Sequence, residues 1–82
     1  MDKQTRMIGG MRFEKIAEGY TFMLSKKHMI IITRNQGRGW IAKEQRLEGK
    51  GSYMKGMKFW ETIHACTEET QEEALAGLLE MM

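Results

Sequence analysis

The chain has 82 residues, 41% of them hydrophobic, which is enough for one modest core and too little for a second domain. No segment approaches the roughly 20 consecutive apolar residues of a membrane span, and the start MDKQTRMIGG has no apolar run of the secretory kind. The single Cys66 cannot form an intrachain disulfide, so the expectation is a soluble, cytoplasmic protein with no membrane partner.

Charge divides along the chain. Residues 1 to 60 hold all 13 Lys and Arg against five acidic residues, a net +8, whereas the last 22 hold six Glu and no Lys or Arg, a net −6. Such asymmetry points to polyanion binding by the basic part or to pairing between the two parts.

Residues 1 to 10 show no sustained pattern and end in Gly9 and Gly10, which predicts a mobile N-terminal arm before a single α+β domain over residues 11 to 82. Met11 to Ala17 reads as a short strand, and Glu18-Gly19 as a turn in which glycine accepts positive φ. Tyr20, Phe22 and Leu24 alternate with Thr21, Met23 and Ser25, the pattern of a half-buried strand. After the polar break at Ser25, Lys26 and Lys27, HMIIITR carries three consecutive isoleucines. Their β-branched side chains suit a pleated sheet, and the run predicts a central strand covered on both faces.

Asn35 to Gly39, within RNQGRGW, supplies a hairpin loop, and Trp40 to Arg46 the next strand, with Trp40 and Ala42 on one face and Lys43 and Gln45 on the other. LEGKGSYMKG, with three glycines in ten residues and no period, reads as a long mobile loop. KFWETIHAC is a last strand, with Phe59, Ile63 and Ala65 facing one way and Trp60, Thr62 and His64 the other. The period then changes: Ala74, Leu75, Leu78, Leu79 and Met82 form one helical stripe, and Thr70 with Glu73 matches a capping box. The predicted architecture is α+β, a small antiparallel meander of four or five strands with one C-terminal amphipathic helix packed on one face.

No catalytic, metal or cofactor pattern emerges. His64 and Cys66 share a strand face, but at about 3.3 Å rise per residue they stand too far apart for a nucleophile and base pair. A structural zinc needs four ligands, and no spacing here provides them. No Walker, dinucleotide or nucleophile-elbow motif is present. The expectation is a non-enzymatic protein with neither cofactor nor metal.

Basic residues interleaved with aromatics are the stronger signal. In a meander alternate turns fall at opposite ends of the sheet, so Lys26, Lys27, His28, Arg46, Lys50, Tyr53, Lys55 and Lys58 are expected around one rim. Tyr53 would there be a stacking platform and Met54 and Met57 adaptable contacts. Arg38 falls at the other end, beside the glutamate-rich start of the helix, and is expected to meet carboxylates of its own chain.

The order GYTFML, HMIIITR, RGW and TEETQEEALAGLL, covering most of the chain from Arg12, resembles in layout small proteins encoded by bacteriophages and mobile elements, among them anti-CRISPR proteins and other host-takeover inhibitors. That resemblance implies an inhibitor that occupies a surface of a nucleic-acid-processing complex, a protein or nucleoprotein partner. It transfers no individual functional residue. Two alternatives stand beside it: a direct nucleic-acid-binding module, and a small structural subunit that forms homo-oligomers through an open sheet face or edge strand.

Overall fold

The computed structural model describes residues 4–48 and 59–82. Strands β1 (Thr5–Ile8), β2 (Met11–Lys15), β3 (Gly19–Ser25), β4 (His28–Arg34), β5 (Trp40–Glu48) and β6 (Phe59–Glu68) precede helix α1 (Gln71–Met81). All neighbours are antiparallel, and the sheet order is the chain order, an open six-stranded meander. The architecture is α+β as expected, with one strand more than the four or five read from the sequence.

The additional strand is β1, which occupies part of the segment expected to be a mobile arm. Ile8 pairs with Met11 across a two-residue turn, and both turn residues, Gly9 and Gly10, have positive φ, 56° and 81°. Two central residues at positive φ make the type I′ geometry that matches strand twist, which is why a Gly-Gly pair closes a hairpin here. Burial holds the strand in place: Ile8 is fully buried in the core. Thus only residues 4 and 9–10 of the described N-terminal segment lie outside a strand.

One face of the sheet is concave and filled by α1. Its core consists of Ile8, Phe13, Ile30, Ile32 and Ala42 from the strands with Ala74, Leu75 and Leu78 from the helix. The helix lies mainly on β5 and β6, yet also touches β1 at the far edge, so the sheet coils until its first strand returns to the helix. The helix starts as its sequence predicts. Thr70 is the N-cap; its Oγ1 accepts from the Glu73 backbone N–H at 3.1 Å and donates to Glu73 Oε1 at 3.0 Å. The buried stripe is narrower than expected: Leu79 and Met82 are exposed, whereas Gln71 is buried.

Two strand readings are corrected. HMIIITR is covered on one face only: Ile30 and Ile32 are fully buried, while Met29, Ile31 and Thr33 are half-buried on the face away from the helix. In β6 the register shifts opposite Glu44 and Gln45, leaving Ile63 as the extra residue of a β-bulge. A bulge reverses the alternation across it. His64 and Cys66 therefore face the helix with Glu44 and Ala42, whereas Trp60 and Thr62 pair with Leu47 and Gln45 on the opposite face.

Gly77 has a specific use. A Cβ there would lie well inside van der Waals contact of Cys66 Sγ, so the missing side chain lets α1 approach β6 closely. Gly→Ala in a helix ordinarily gains about 1 kcal/mol. Gly77→Ala is expected instead to lower stability by about 1–2 kcal/mol through overpacking, measured by urea unfolding, and Cys66→Ala in the same chain to restore the gain.

Candidate functional site

The rim expected to be basic is assembled by backbone pairing. His28 stands opposite Arg46 in the β4–β5 register, and the Leu47 backbone N–H donates to the Lys27 carbonyl at 2.8 Å. The Lys27 N–H donates to Ser25 Oγ at 3.2 Å, which shapes the turn that presents Lys26 and Lys27. Lys26, Lys27 and Arg46 are exposed, and β5 ends and β6 begins at this same end of the sheet. Glu61 stands opposite Arg46 in the β5–β6 register. Of the sequence-predicted site residues, Lys26, Lys27, His28 and Arg46 are thus brought together; Lys50, Tyr53, Lys55 and Lys58 lie outside the described residues, as do Met54 and Met57.

Beneath the rim lies a group that the sequence reading missed. Glu44, on the inward face of β5, has a side chain only 8% exposed and bonds to two histidines at once. His28 Nε2 is 2.6 Å from its Oε2, and His64 Nδ1 is 2.6 Å from its Oε1. The hydrogen bond from His64 holds the Glu44 carboxyl below its ordinary range; burial opposes this, and the hydrogen bond from His28 and the charges of both rings reinforce it.

An ionised carboxylate only accepts, so both contacting ring nitrogens are donors. This fixes both ring orientations and leaves His28 Nδ1 and His64 Nε2 as the nitrogens not engaged by Glu44. The His28 side chain is 27% exposed and the His64 side chain 41%. His28, expected as a simple rim contact, therefore has one nitrogen committed to the interior, and His64 joins the rim group through the bulge.

Cys66 lies on the same face of β6 as His64. Its half-buried thiol lies under Gly77, and burial, with the negative charges of Glu68 and Glu80, pushes it above the ordinary thiol range. A thiol held protonated is a poor nucleophile. Among the described residues no group of three or more His, Cys, Asp or Glu could hold a metal ion. No described helix is long and apolar enough to cross a membrane.

The signal for Glu44 was present in the alternation. Trp40 and Ala42 are inward positions, and the next inward position of that strand is Glu44. A carboxylate placed inward needs partners, and the histidines of the adjoining strands are the chemically fitting ones.

At the opposite end of the sheet, Arg38 Nη2 lies 3.6 Å from Glu69 Oε1, the intramolecular contact expected of it. Both side chains are mostly exposed, so the pair contributes at most about 1 kcal/mol. RNQGRGW is a closed hairpin loop, with the Asn35 N–H donating to the Gly39 carbonyl at 3.1 Å and Asn35 Nδ2 to the Arg38 carbonyl at 3.0 Å. Arg34 stacks over the Trp40 ring at 5.2 Å, which engages the cation within the fold.

No protein-family model matches this chain, and neither curated proteins nor solved structures yield a similar one.

Proposed function

We propose that the chain is a non-enzymatic binding protein that docks through its basic rim on a polyanionic surface of a nucleic-acid-processing complex, in the manner of a phage-type inhibitor. The observation that carries the reading is the convergence of Lys26, Lys27 and Arg46 at one end of the sheet, beside histidines oriented by a buried carboxylate. Exposed cations on a backbone-paired edge steer association with an acidic surface and meet it without a large ordering cost. The charge division of the sequence favours the same reading, because Glu68, Glu69, Glu72 and Glu73 stand where β6 ends and α1 begins, at the opposite end of the sheet from the rim.

Replacing Lys26, Lys27, Lys50 and Lys55 with Glu is expected to reduce partner capture at least about tenfold while leaving the thermal midpoint unchanged, since the described members of the set are exposed. The measurement is pull-down from nuclease-treated host lysate, with circular dichroism as the control for folding. Capture unchanged by the four charge reversals would remove the rim from the binding surface. Capture lost on nuclease treatment, with anisotropy showing steeply salt-dependent binding to nucleic-acid probes, would select direct nucleic-acid binding instead.

A further inference from the structure

The end of the sheet away from the rim carries a second cationic feature. Arg6 of β1, Lys15 of β2 and Tyr20 of β3 line an open cleft of about 370 Å³ with Gln4 and Thr5. The registers explain the convergence. Arg6 pairs with the buried Phe13, Lys15 follows Phe13 by two residues, and Lys15 pairs with Tyr20, so Arg6, Lys15 and Tyr20 all project to the concave face. The Lys15 backbone N–H donates to the Gln4 carbonyl at 2.8 Å, fastening the start of β1 to the end of β2 and holding the two cations at one site. Among the described residues neither Arg6 nor Lys15 forms an ion pair, although the three ion pairs found there engage Glu44 and Glu69. Two like charges facing one cleft repel one another, and an anion between them relieves that repulsion.

Arg6 also borders an adjoining cleft of about 280 Å³, formed with Trp40, Glu69, Gln71 and Glu72 at the start of α1. Its chemistry is different. It holds exposed carboxylates, and Gln71, only 6% exposed, has a buried carboxamide oxygen with no hydrogen-bond partner among the described residues. Carboxylates and an amide oxygen accept hydrogen bonds and disfavour a second anion. The pair of clefts suits one phosphate beside a group rich in N–H or O–H donors.

We propose that Arg6, Lys15 and Tyr20 form a binding site for a small organic phosphate, with the phosphate between the two cations and the tyrosine hydroxyl and its donor-bearing organic part directed past Arg6 toward Glu69, Gln71 and Glu72. Arg6 provides a planar fork of donors for the phosphate oxygens and Lys15 a point charge. The site lies at the other end of the sheet from the rim and does not rest on the function proposed for it.

The test is an amide-resolved NMR titration of the full chain with inorganic phosphate, ribose 5-phosphate and a 5′-mononucleotide in turn. The expected result is saturable shifts at Thr5, Arg6, Lys15 and Tyr20 with all three probes, and tighter binding of the two organic phosphates than of inorganic phosphate. Ribose 5-phosphate equal to the mononucleotide assigns the added affinity to the sugar hydroxyls; a tighter mononucleotide assigns it to the base. Arg6→Gln with Lys15→Gln is expected to weaken binding at least about tenfold, Arg6→Lys with Lys15→Arg to retain most of it, and Lys43→Gln, on the sheet face away from the cleft, to leave it unchanged. Unaltered amide dispersion in each variant shows that the fold persists. Shifts that remain linear to about 50 mM phosphate, or that survive in the Arg6→Gln, Lys15→Gln chain, would overturn the site. Equal affinity for inorganic and organic phosphates would overturn the role of the second cleft.

Discussion

Glu44→Ala is expected to destabilise the chain by about 3 kcal/mol, the scale of two hydrogen bonds to a charged acceptor, and to lower the thermal midpoint by roughly 15 °C for a domain of this size. The carboxylate is almost fully buried on the helix-facing side of β5, and both of its oxygens are engaged at 2.6 Å. Truncation removes both bonds and leaves His28 and His64 with donors aimed at a cavity between β4 and β6. Glu44→Gln keeps the shape but offers one acceptor and one donor to two rings that both donate, so it is expected to lose about half as much. The pH dependence follows from the depressed carboxyl.

Because the folded-state value lies below the unfolded one near 4.5, the stabilisation by ionised Glu44 is fully present above that range. It disappears as the pH falls through the folded value. Urea midpoints between pH 6 and pH 3 should therefore fall more steeply for the wild-type chain than for Glu44→Gln. Equal slopes would mean that the carboxylate is not held between the two histidines. Glu44→Gln also separates folding from binding, since it leaves Lys26, Lys27 and Arg46 in place while releasing the histidine orientation.

Gly19→Ala is expected to cost about 3 kcal/mol, the upper part of the range for overpacking a close-packed position. Gly19 stands opposite Thr33 where β3 begins, and a Cβ there would collide with the Ile32 carbonyl oxygen and crowd the Thr33 Cα, both main-chain atoms. No side-chain rotation relieves that conflict; β3 must move away from β4. Gly37 provides the internal comparison. Its φ is 94° but nothing lies within 4 Å of its Cβ position, so Gly37→Ala pays only the strain of a left-handed conformation, about 1 kcal/mol. Urea unfolding of the two variants should separate them by roughly 2 kcal/mol. Similar losses at both positions would contradict the close approach of Gly19 to β4.

The value of Gly19 illustrates how far the sequence could be read. A glycine after Glu18 was expected to serve the turn by its backbone freedom, yet Gly19 is absent from the positive-φ residues and is required for space. The two causes are identical in sequence and differ only in what packs against the residue. Gly77 behaves in the same way: its cost to the helix was legible, and its purpose, the approach to Cys66, was not. Gly9 and Gly10 are the converse case. Their adjacency is a hairpin signal in itself, but β1 has only four residues and one fully buried side chain, too short for its period to stand out.

Alternation and helical period, acting through neighbours along the chain, determined five strands, the C-terminal helix with its Thr70 cap, the antiparallel meander and the gathering of Lys26, Lys27, His28 and Arg46 at one rim. Those features depend on local geometry, in which a side chain's face follows from its position modulo two or 3.6. The coiling that returns β1 to the helix, the bulge that turns His64 toward Glu44, and the cleft shared by Arg6, Lys15 and Tyr20 were decided by the tertiary structure. Each depends on contacts between residues remote in sequence, where twist, register shift and close packing determine which side chains meet.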